Sequence, residues 1–229
     1  MKFEYRQTAD FGAPLCKRLG QYPRVPDMTW DFCRWLGCWF SVLFIRSQFR
    51  LKICGTVPNR QPNFQPNFQK VAIVANHQSH IDTATLLAAL PYRRRKKLIV
   101  LAAEDYFFQS SPKAMLASLL CQGVAFDRLH WTAIRGWYRH LQSMETGWIL
   151  FYPSGSRQLQ EIQSGLLKLL VKEGWTILPA RLDGAETAWP AHRKSWRPGR
   201  TLKVTFFEPY QGNDLDVLLT RLRRELYPL

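Results

Sequence analysis

Acidic residues are scarce in this chain: 17 Asp and Glu stand against 32 Lys and Arg in 229 residues, a formal net charge of +15. So unbalanced a surface calls for an anionic partner, whether nucleic acid, anionic lipid headgroups or phosphorylated substrates. Cysteine is sparse and unpatterned. Cys16, Cys33, Cys38, Cys54 and Cys121 are odd in number and share no C-x-x-C spacing, so no disulfide framework or zinc site is implied. Their mostly apolar surroundings suit reduced, buried thiols. The segment Met1-Lys2-Phe3-Glu4-Tyr5-Arg6 lacks the apolar core and small-residue cleavage site of a secretory signal, and the mature chain is expected to start there.

Long hydrophobic runs are also missing. The longest runs from Trp35 to Ile45, between Arg34 and Arg46. As a helix it reaches about 16 Å at ~1.5 Å per residue, against a hydrocarbon core of about 30 Å, too short to span a bilayer unaided. Its aromatics Trp35, Trp39, Phe40 and Phe44, mixed with Arg34, Arg46, Arg50 and Lys52, suit a segment lying in the headgroup interface, with basic groups reaching anionic phosphates. A core helix is the competing reading, and this segment alone leaves the two level.

What is present is ordinary globular chemistry. Hydrophobic residues make up 46% and charged residues 21%, which excludes intrinsic disorder, collagen and a small disulfide scaffold, and allows one domain with a sizeable core. The tandem Gln61-Pro62-Asn63-Phe64 and Gln65-Pro66-Asn67-Phe68 reads as a surface loop. It divides an N-terminal arm with its interfacial helix, residues 1–60, from a body, residues 61–229.

Within the body, apolar strands are expected at Val71 to Ala75, Leu98 to Ala102, Gly123 to Phe126, Trp148 to Tyr152, Thr176 to Ala180 and Leu202 to Phe207, with helix-like stretches between them. Continuous apolar strands alternating with helices predict an α/β fold, a largely parallel central sheet flanked by helices. Leu159, Ile162, Leu166, Leu169 and Leu170 place a helix over Gln158 to Glu173, stopped by Gly174. Leu215, Leu218, Leu219, Leu222 and Leu226 form the core stripe of a last helix, capped by Asn213 or Asp214.

The chemistry-bearing segment is Asn76-His77-Gln78-Ser79-His80-Ile81-Asp82, between the strand Val71 to Ala75 and the helix Thr83 to Leu90. Side chains at the carboxyl end of a parallel strand project into the crevice where open α/β sheets bind ligands. Residues five apart on one helix point about 140° apart at ~3.6 residues per turn, so His77 and Asp82 meet only if His77 lies in the turn. Asp82 then accepts Nδ1–H of His77 and leaves Nε2 for a substrate proton, a base and its orienter. The plainer reading makes Asn76, Ser79 and Asp82 helix caps. His77-x-x-His80-x-Asp82 offers three metal ligands, but no further Cys/His cluster completes a site, so no metal is expected. Ser79 has no glycine-flanked elbow and is not a nucleophile.

Three more strand ends carry polar or basic groups. Tyr152-Pro153-Ser154-Gly155-Ser156-Arg157 offers small residues, an accessible backbone, two hydroxyls and Arg157 at a helix start, enough to hold a phosphate or another oxyanion. Gly123 to Arg128 ends in an arginine, and Ile177 to Gly184 follows the same scheme with Arg181. Each turn alone reads as an ordinary loop; together they line one crevice. The run Arg93-Arg94-Arg95-Lys96-Lys97 is either a solvated loop or a contact for lipid headgroups.

The order of these segments resembles the glycerolipid O-acyltransferase family typified by 1-acylglycerol-3-phosphate acyltransferase, from about Val71 to Pro209. Its N-H-x4-D, G-x-x-F-x-x-R, F-P-E-G-T-R and V-P boxes look like Asn76-His77 to Asp82, Gly123 to Arg128, Tyr152 to Arg157 and Leu178-Pro179. The resemblance implies that His77 deprotonates an acceptor hydroxyl, that Asp82 orients it, and that the hydroxyl attacks the thioester of acyl-CoA or acyl carrier protein. Arg128 and Arg157 would bind the acceptor phosphate, with Asn76, Ser154, Gly155 and Ser156 beside them, and no cofactor is needed. It also implies a peripheral or monotopic protein on the cytoplasmic membrane face. In the third box the family's glutamate is Ser154, which weakens the inference to lysophosphatidate and leaves another hydroxyl-bearing lipid open; the second box is compressed.

Two other classes compete. A basic nucleic-acid-binding protein accounts for the charge, with aromatic and basic residues interleaved over Trp189 to Lys203, but no nucleic-acid motif accompanies it and none is expected as a partner. A membrane-bound relative that lost catalysis through the Ser154 change is the third.

Overall fold

A computed structural model of the chain describes residues 27–56, 69–95, 98–107, 111–126, 147–155, 161–190, 192, 193 and 195–228. In chain order the elements are α1 (Asp27–Gln48), β1 (Arg50–Gly55), β2 (Lys70–Ala75), α2 (Asp82–Ala89), α3 (Tyr92–Arg95), β3 (Leu98–Ala103), α4 (Glu104–Phe107) and α5 (Ser111–Cys121). They continue with β4 (Gly123–Phe126), β5 (Gly147–Phe151), α6 (Ser164–Lys172), β6 (Thr176–Asp183), α7 (Ala185–Ala188), β7 (Thr201–Phe206) and α8 (Leu215–Leu226). The tandem repeat at 61–68 lies outside the described residues.

The seven strands form one sheet in the order β1-β7-β6-β2-β5-β3-β4. Neighbours from β6 to β4 run parallel, while β7 pairs antiparallel with β6 and parallel with β1. Every residue of β5 is buried and so is β2 beyond Lys70, as expected for strands covered on both faces. Alternation decides which core each residue joins. Val71, Ile73 and Ala75 face a core shared with α1 and α2. Ala72 and Val74 face a second core, filled from α6 and α8 by Leu167, Leu170, Leu218 and Leu222. The result is a three-layer α/β fold, the largely parallel sheet that the strand pattern predicts.

Four local expectations are corrected. A strand at Arg50–Gly55 is not among the expected ones; it adds to the sheet edge because β7 offers it a parallel partner, Ile53 opposite Val204. Arg50 and Lys52 therefore sit on an edge strand, where charged side chains discourage further pairing, and Cys54 is exposed there instead of buried. The helix expected from Gln158 starts at Ser164: residues 161–163 are irregular, and the Gln163 amide donates to the Pro153 carbonyl instead of to a helical turn. Finally, β6 runs on to Asp183, so Arg181 lies within a strand, where it hydrogen-bonds Asp183 and stacks over Phe207.

Helix α1 has 22 residues, longer than its apolar run. Even so, among the described residues no helix is long and apolar enough to cross a membrane. One face of α1 packs on α2 and α5 through Cys38, Val42 and Ile45. Gly37 makes the crossing with α5 possible, since a Cβ there would lie 2.7 Å from the Leu119 carbonyl oxygen. Ser41 donates to Leu120 O across the same crossing. The other face leaves Trp35, Leu36, Trp39, Phe40 and Leu43 exposed, the last two by 63% and 64%.

The basic run after α2 opens as the short helix α3, in which Arg93 is exposed while Arg94 and Arg95 are drawn inward. Arg95 is buried, donates to Leu87 O and lies over the rings of Trp39 and Tyr92, while Arg94 lies over Trp148. Burial lowers the pKa of both guanidinium groups. Aromatic faces and a carbonyl thus replace water around Arg95.

Asn76 ties the sheet together at the end of β2. Its Nδ2 donates to Leu182 O at 2.9 Å and its Oδ1 accepts from Leu182 N at 2.7 Å, with the residue 3% exposed. Asn76→Ala removes both bonds and strands two buried backbone groups. It should cost about 2–6 kcal/mol at ~1–3 kcal/mol for each unsatisfied group, read as a lower urea midpoint; an unchanged midpoint contradicts this role.

Candidate active site

The turn after β2 does what the sequence spacing requires. Residues 76–78 are neither strand nor helix, and α2 begins at Asp82 with Ile81 as its N-cap. No side chain caps the helix. The Asp82 carboxylate instead turns back over the preceding loop: Oδ2 accepts from Gln78 N at 2.7 Å, from Ser79 N at 2.8 Å, and meets His77 Nδ1 at 2.8 Å. Asp82 is 1% exposed. Because a carboxylate oxygen engaged by two backbone N–H groups acts as acceptor, His77 carries its proton on Nδ1 and keeps Nε2 basic. The helix-cap reading of Asn76, Ser79 and Asp82 is set aside.

His77 is held from its ring face as well. The Tyr152 ring stacks on the imidazole at 4.2 Å between centroids and 19° between planes, and the Tyr152 hydroxyl shares a hydrogen bond of 2.8 Å with Thr83 of α2. Neither contact was foreseen, although Tyr152 belongs to the third polar turn. Ser79 is fully buried and donates to Trp189 O, so its hydroxyl is structural. The His80 ring lies 5.7 Å from that of Trp189. Among the described residues no three His, Cys, Asp or Glu side chains cluster as metal ligands.

His77 opens onto a cavity of about 880 Å³ at the carboxyl ends of β2, β3, β4 and β5. That is near the upper end of the ~300–1,000 Å³ usual for small-molecule sites. Much of its lining is apolar: Val100 to Ala103 of β3, Ala117 and Leu120 of α5, and Phe40 and Phe44 of α1. Sequence reading placed Leu98 to Ala102 in a buried strand and Phe40 and Phe44 at a membrane interface, since a cavity wall carries the same apolar signature as either.

The predicted site residues separate into three groups. His77, Asp82 and Gly155 come together: Gly155 lines the cavity with a φ of +63°, a conformation that favours glycine. Asn76 and Ser154 turn away. Asn76 is consumed by Leu182, and Ser154 is 1% exposed beneath the turn, beside Tyr227 of the C-terminal segment. Burial raises the Tyr227 hydroxyl pKa, and the Ser154 hydroxyl partly offsets that. Arg128, Ser156 and Arg157 lie outside the described residues. Of the proposed membrane contacts, Trp35, Trp39 and Phe40 are exposed, whereas Phe44 is half-buried against Phe49 and Trp196 and faces the cavity. Residues Trp189 and Trp196, read as a base-stacking surface, also line the cavity, their rings 5.3 Å apart.

Cys121 lines the cavity too. Burial, with a smaller contribution from Cys38, pushes its thiol up to about 12. Between pH 7 and 9 it is protonated and should alkylate far more slowly than exposed Cys54, the gap narrowing only as pH nears 12. Peptide mass mapping after a timed iodoacetamide pulse checks this; equal rates at pH 8 contradict it. Ser154→Glu would bury a charge where the family has its glutamate, and should cost about 3–5 kcal/mol, read as a fallen unfolding midpoint; an unchanged midpoint refutes the burial of this position.

A family model described as Acyltransferase matches residues 59–183. Among solved structures, the crystal structure of the 1-acyl-sn-glycerophosphate (LPA) acyltransferase PlsC from Thermotoga maritima is similar. Its TM-score is 0.61 at 18% sequence identity, covering 86% of this chain and 76% of that one. At that identity the likeness is one of fold. Comparison with curated proteins finds no match.

Proposed function

The chain belongs to the acyltransferase family, and on that premise we propose that it transfers a fatty acyl group from the thioester of acyl-CoA or acyl carrier protein to a hydroxyl of a glycerolipid. The acceptor that fits best is 1-acylglycerol-3-phosphate, giving phosphatidate. The observation that carries this reading is the His77–Asp82 pair, 2.8 Å apart, opening onto a large cavity whose lining is largely apolar.

The steps follow from that pair. The acceptor hydroxyl donates its proton to Nε2 of His77 while its oxygen bonds to the thioester carbonyl carbon. Asp82 holds Nδ1–H throughout and stabilises the imidazolium that forms. Collapse of the tetrahedral intermediate breaks the carbon–sulfur bond, and the leaving thiolate takes the proton back from Nε2. The free thiol and the acylated lipid remain, and no enzyme nucleophile is consumed. An apolar chamber accommodates the acyl chain while the polar turn holds the reacting groups. Arg128 and Arg157 remain assigned to the acceptor phosphate by resemblance.

The same reading gives the exposed face of α1 a purpose. Trp35, Leu36, Trp39, Phe40 and Leu43 make an apolar strip on a strongly basic chain, suited to seating on an anionic cytoplasmic membrane surface and delivering lipid to the cavity. Phe40 belongs to the strip and also lines the cavity.

Purified protein supplied with acyl-CoA or acyl carrier protein donors and a panel of lipid acceptors should yield an acylated product by mass. His77→Ala should lower turnover by at least ~10³-fold with the unfolding midpoint retained; undiminished turnover removes His77 from the reaction. In a flotation assay, Trp39→Ser/Phe40→Ser/Leu43→Ser should release the protein from phosphatidylglycerol vesicles at high salt, where only apolar insertion survives screening. Unaltered flotation places the membrane contact elsewhere.

A further inference from the structure

The segment after β6 lies beyond residues 59–183 and yet supplies one wall of the site. It is tied to the catalytic turn by an antiparallel bridge between Ser79 and Pro190 and by the Ser79 hydroxyl on Trp189 O. The Trp189 indole donates to Arg193 O at 3.0 Å, and Arg193 N donates to Pro190 O at 3.0 Å. Farther along, Arg197 N donates to Ala188 O, Gly199 N donates to Gln48 O, and Trp196 rests on Phe44 and Trp189. These contacts make a turn pinned at both ends, with the exposed side chains of His192 and Arg193 lining the cavity.

Charge and distance favour one use for that turn. Among the described residues lining the cavity, the full cations are Lys113 and Arg193, joined by His77, His80 and His192, and no carboxylate lines it. Asp82 lies beneath His77, out of the lining. Among the described residues no ion pair or side-chain hydrogen bond engages the Arg193 guanidinium. Pro190 is bridged to Ser79, two residues from His77, and three residues of chain reach at most about 11 Å at ~3.6 Å each. Arg193 is therefore held near the reacting centre, where the polar end of a bound amphiphile would lie.

We infer that His192 and Arg193 form a phosphate subsite: they hold a phosphate ester on an amphiphile whose apolar tail occupies the cavity. The inference rests on the acyltransferase reading for what that amphiphile is. A phosphate reaches this mouth from two sources, the headgroup of the acceptor or the phosphates of a CoA or phosphopantetheine donor. Arginine suits either through paired N–H donors, and His192 adds one more.

The test uses the full chain and does not require turnover. Calorimetric binding of monododecyl phosphate, below its micelle concentration, is compared with that of neutral monododecanoylglycerol in wild type and in His192→Gln/Arg193→Gln. Affinity for the phosphate should fall at least about tenfold, the loss expected for hydrogen bonds to a charged group, with the neutral ligand unchanged; Arg193→Lys should restore part of it. Equal phosphate affinity in both proteins, or an equal loss of the two ligands, overturns the subsite. Two kinetic arms then name the source. A raised KM for lysophosphatidate with that for monoacylglycerol unchanged assigns the site to the acceptor. A raised KM for acyl-CoA with that for acyl-pantetheine unchanged assigns it to the donor. Absence of turnover with every pair overturns the acyltransferase reading and leaves the calorimetry to decide the subsite.

Discussion

One carboxylate oxygen organises the site. Oδ2 of Asp82 gathers the backbone N–H groups of Gln78 and Ser79 and the Nδ1 of His77, so the same atom shapes the turn and orients the imidazole. A side chain bound only to the imidazole would leave the turn free to open. Here the loop cannot rearrange without exposing buried donors, which is the cost that keeps the geometry. Asn76 anchors the same turn to β6 through Leu182, and Tyr152 covers one face of the imidazole. His77 is therefore held along its edge, over its face and through its backbone neighbours.

Around this polar knot the fold supplies two contrasting environments. Apolar side chains from α1, β3 and α5 line the cavity together with His80, Lys113, His192 and Arg193, and no described carboxylate does. An amphiphilic anion matches such a lining, since its tail and its charge are each desolvated only against a matching wall. The strongly positive chain extends that preference outward, drawing anionic partners over distances that salt shortens. Nucleic acid shares the charge preference but has no use for a deep apolar chamber, and the tryptophans that would have stacked on bases, Trp189 and Trp196, line that chamber instead.

Departures from the family pattern acquire physical content in this frame. At Ser154 the chain turns sharply before Gly155, and the serine is directed beneath the turn toward Tyr227. The missing carboxylate is thus a matter of buried packing at this turn. The segment at 189–196, which no box of the resemblance includes, takes up part of the rim.

Local rules carried much of the way. Among the described residues, alternation and apolar runs located six of the seven strands, the leucine stripe with Asn213 or Asp214 as its cap anticipated α8, and the spacing of His77 and Asp82 specified that the two meet only if His77 sits in a turn. Each of these depends on neighbours a few residues apart, where backbone hydrogen bonding and side-chain period act directly. β1 escaped because an edge strand with exposed Arg50 and Lys52 shows little apolar pattern and forms only where β7 awaits it. Which polar residues faced inward was decided by tertiary structure alone. Asn76 found its partner 106 positions away, Tyr152 met Thr83 across 69, and Ser79 met Trp189 across 110. A polar side chain at a strand end has the same sequence signature whether it meets substrate or a buried carbonyl, and only packing brings one or the other within hydrogen-bonding distance.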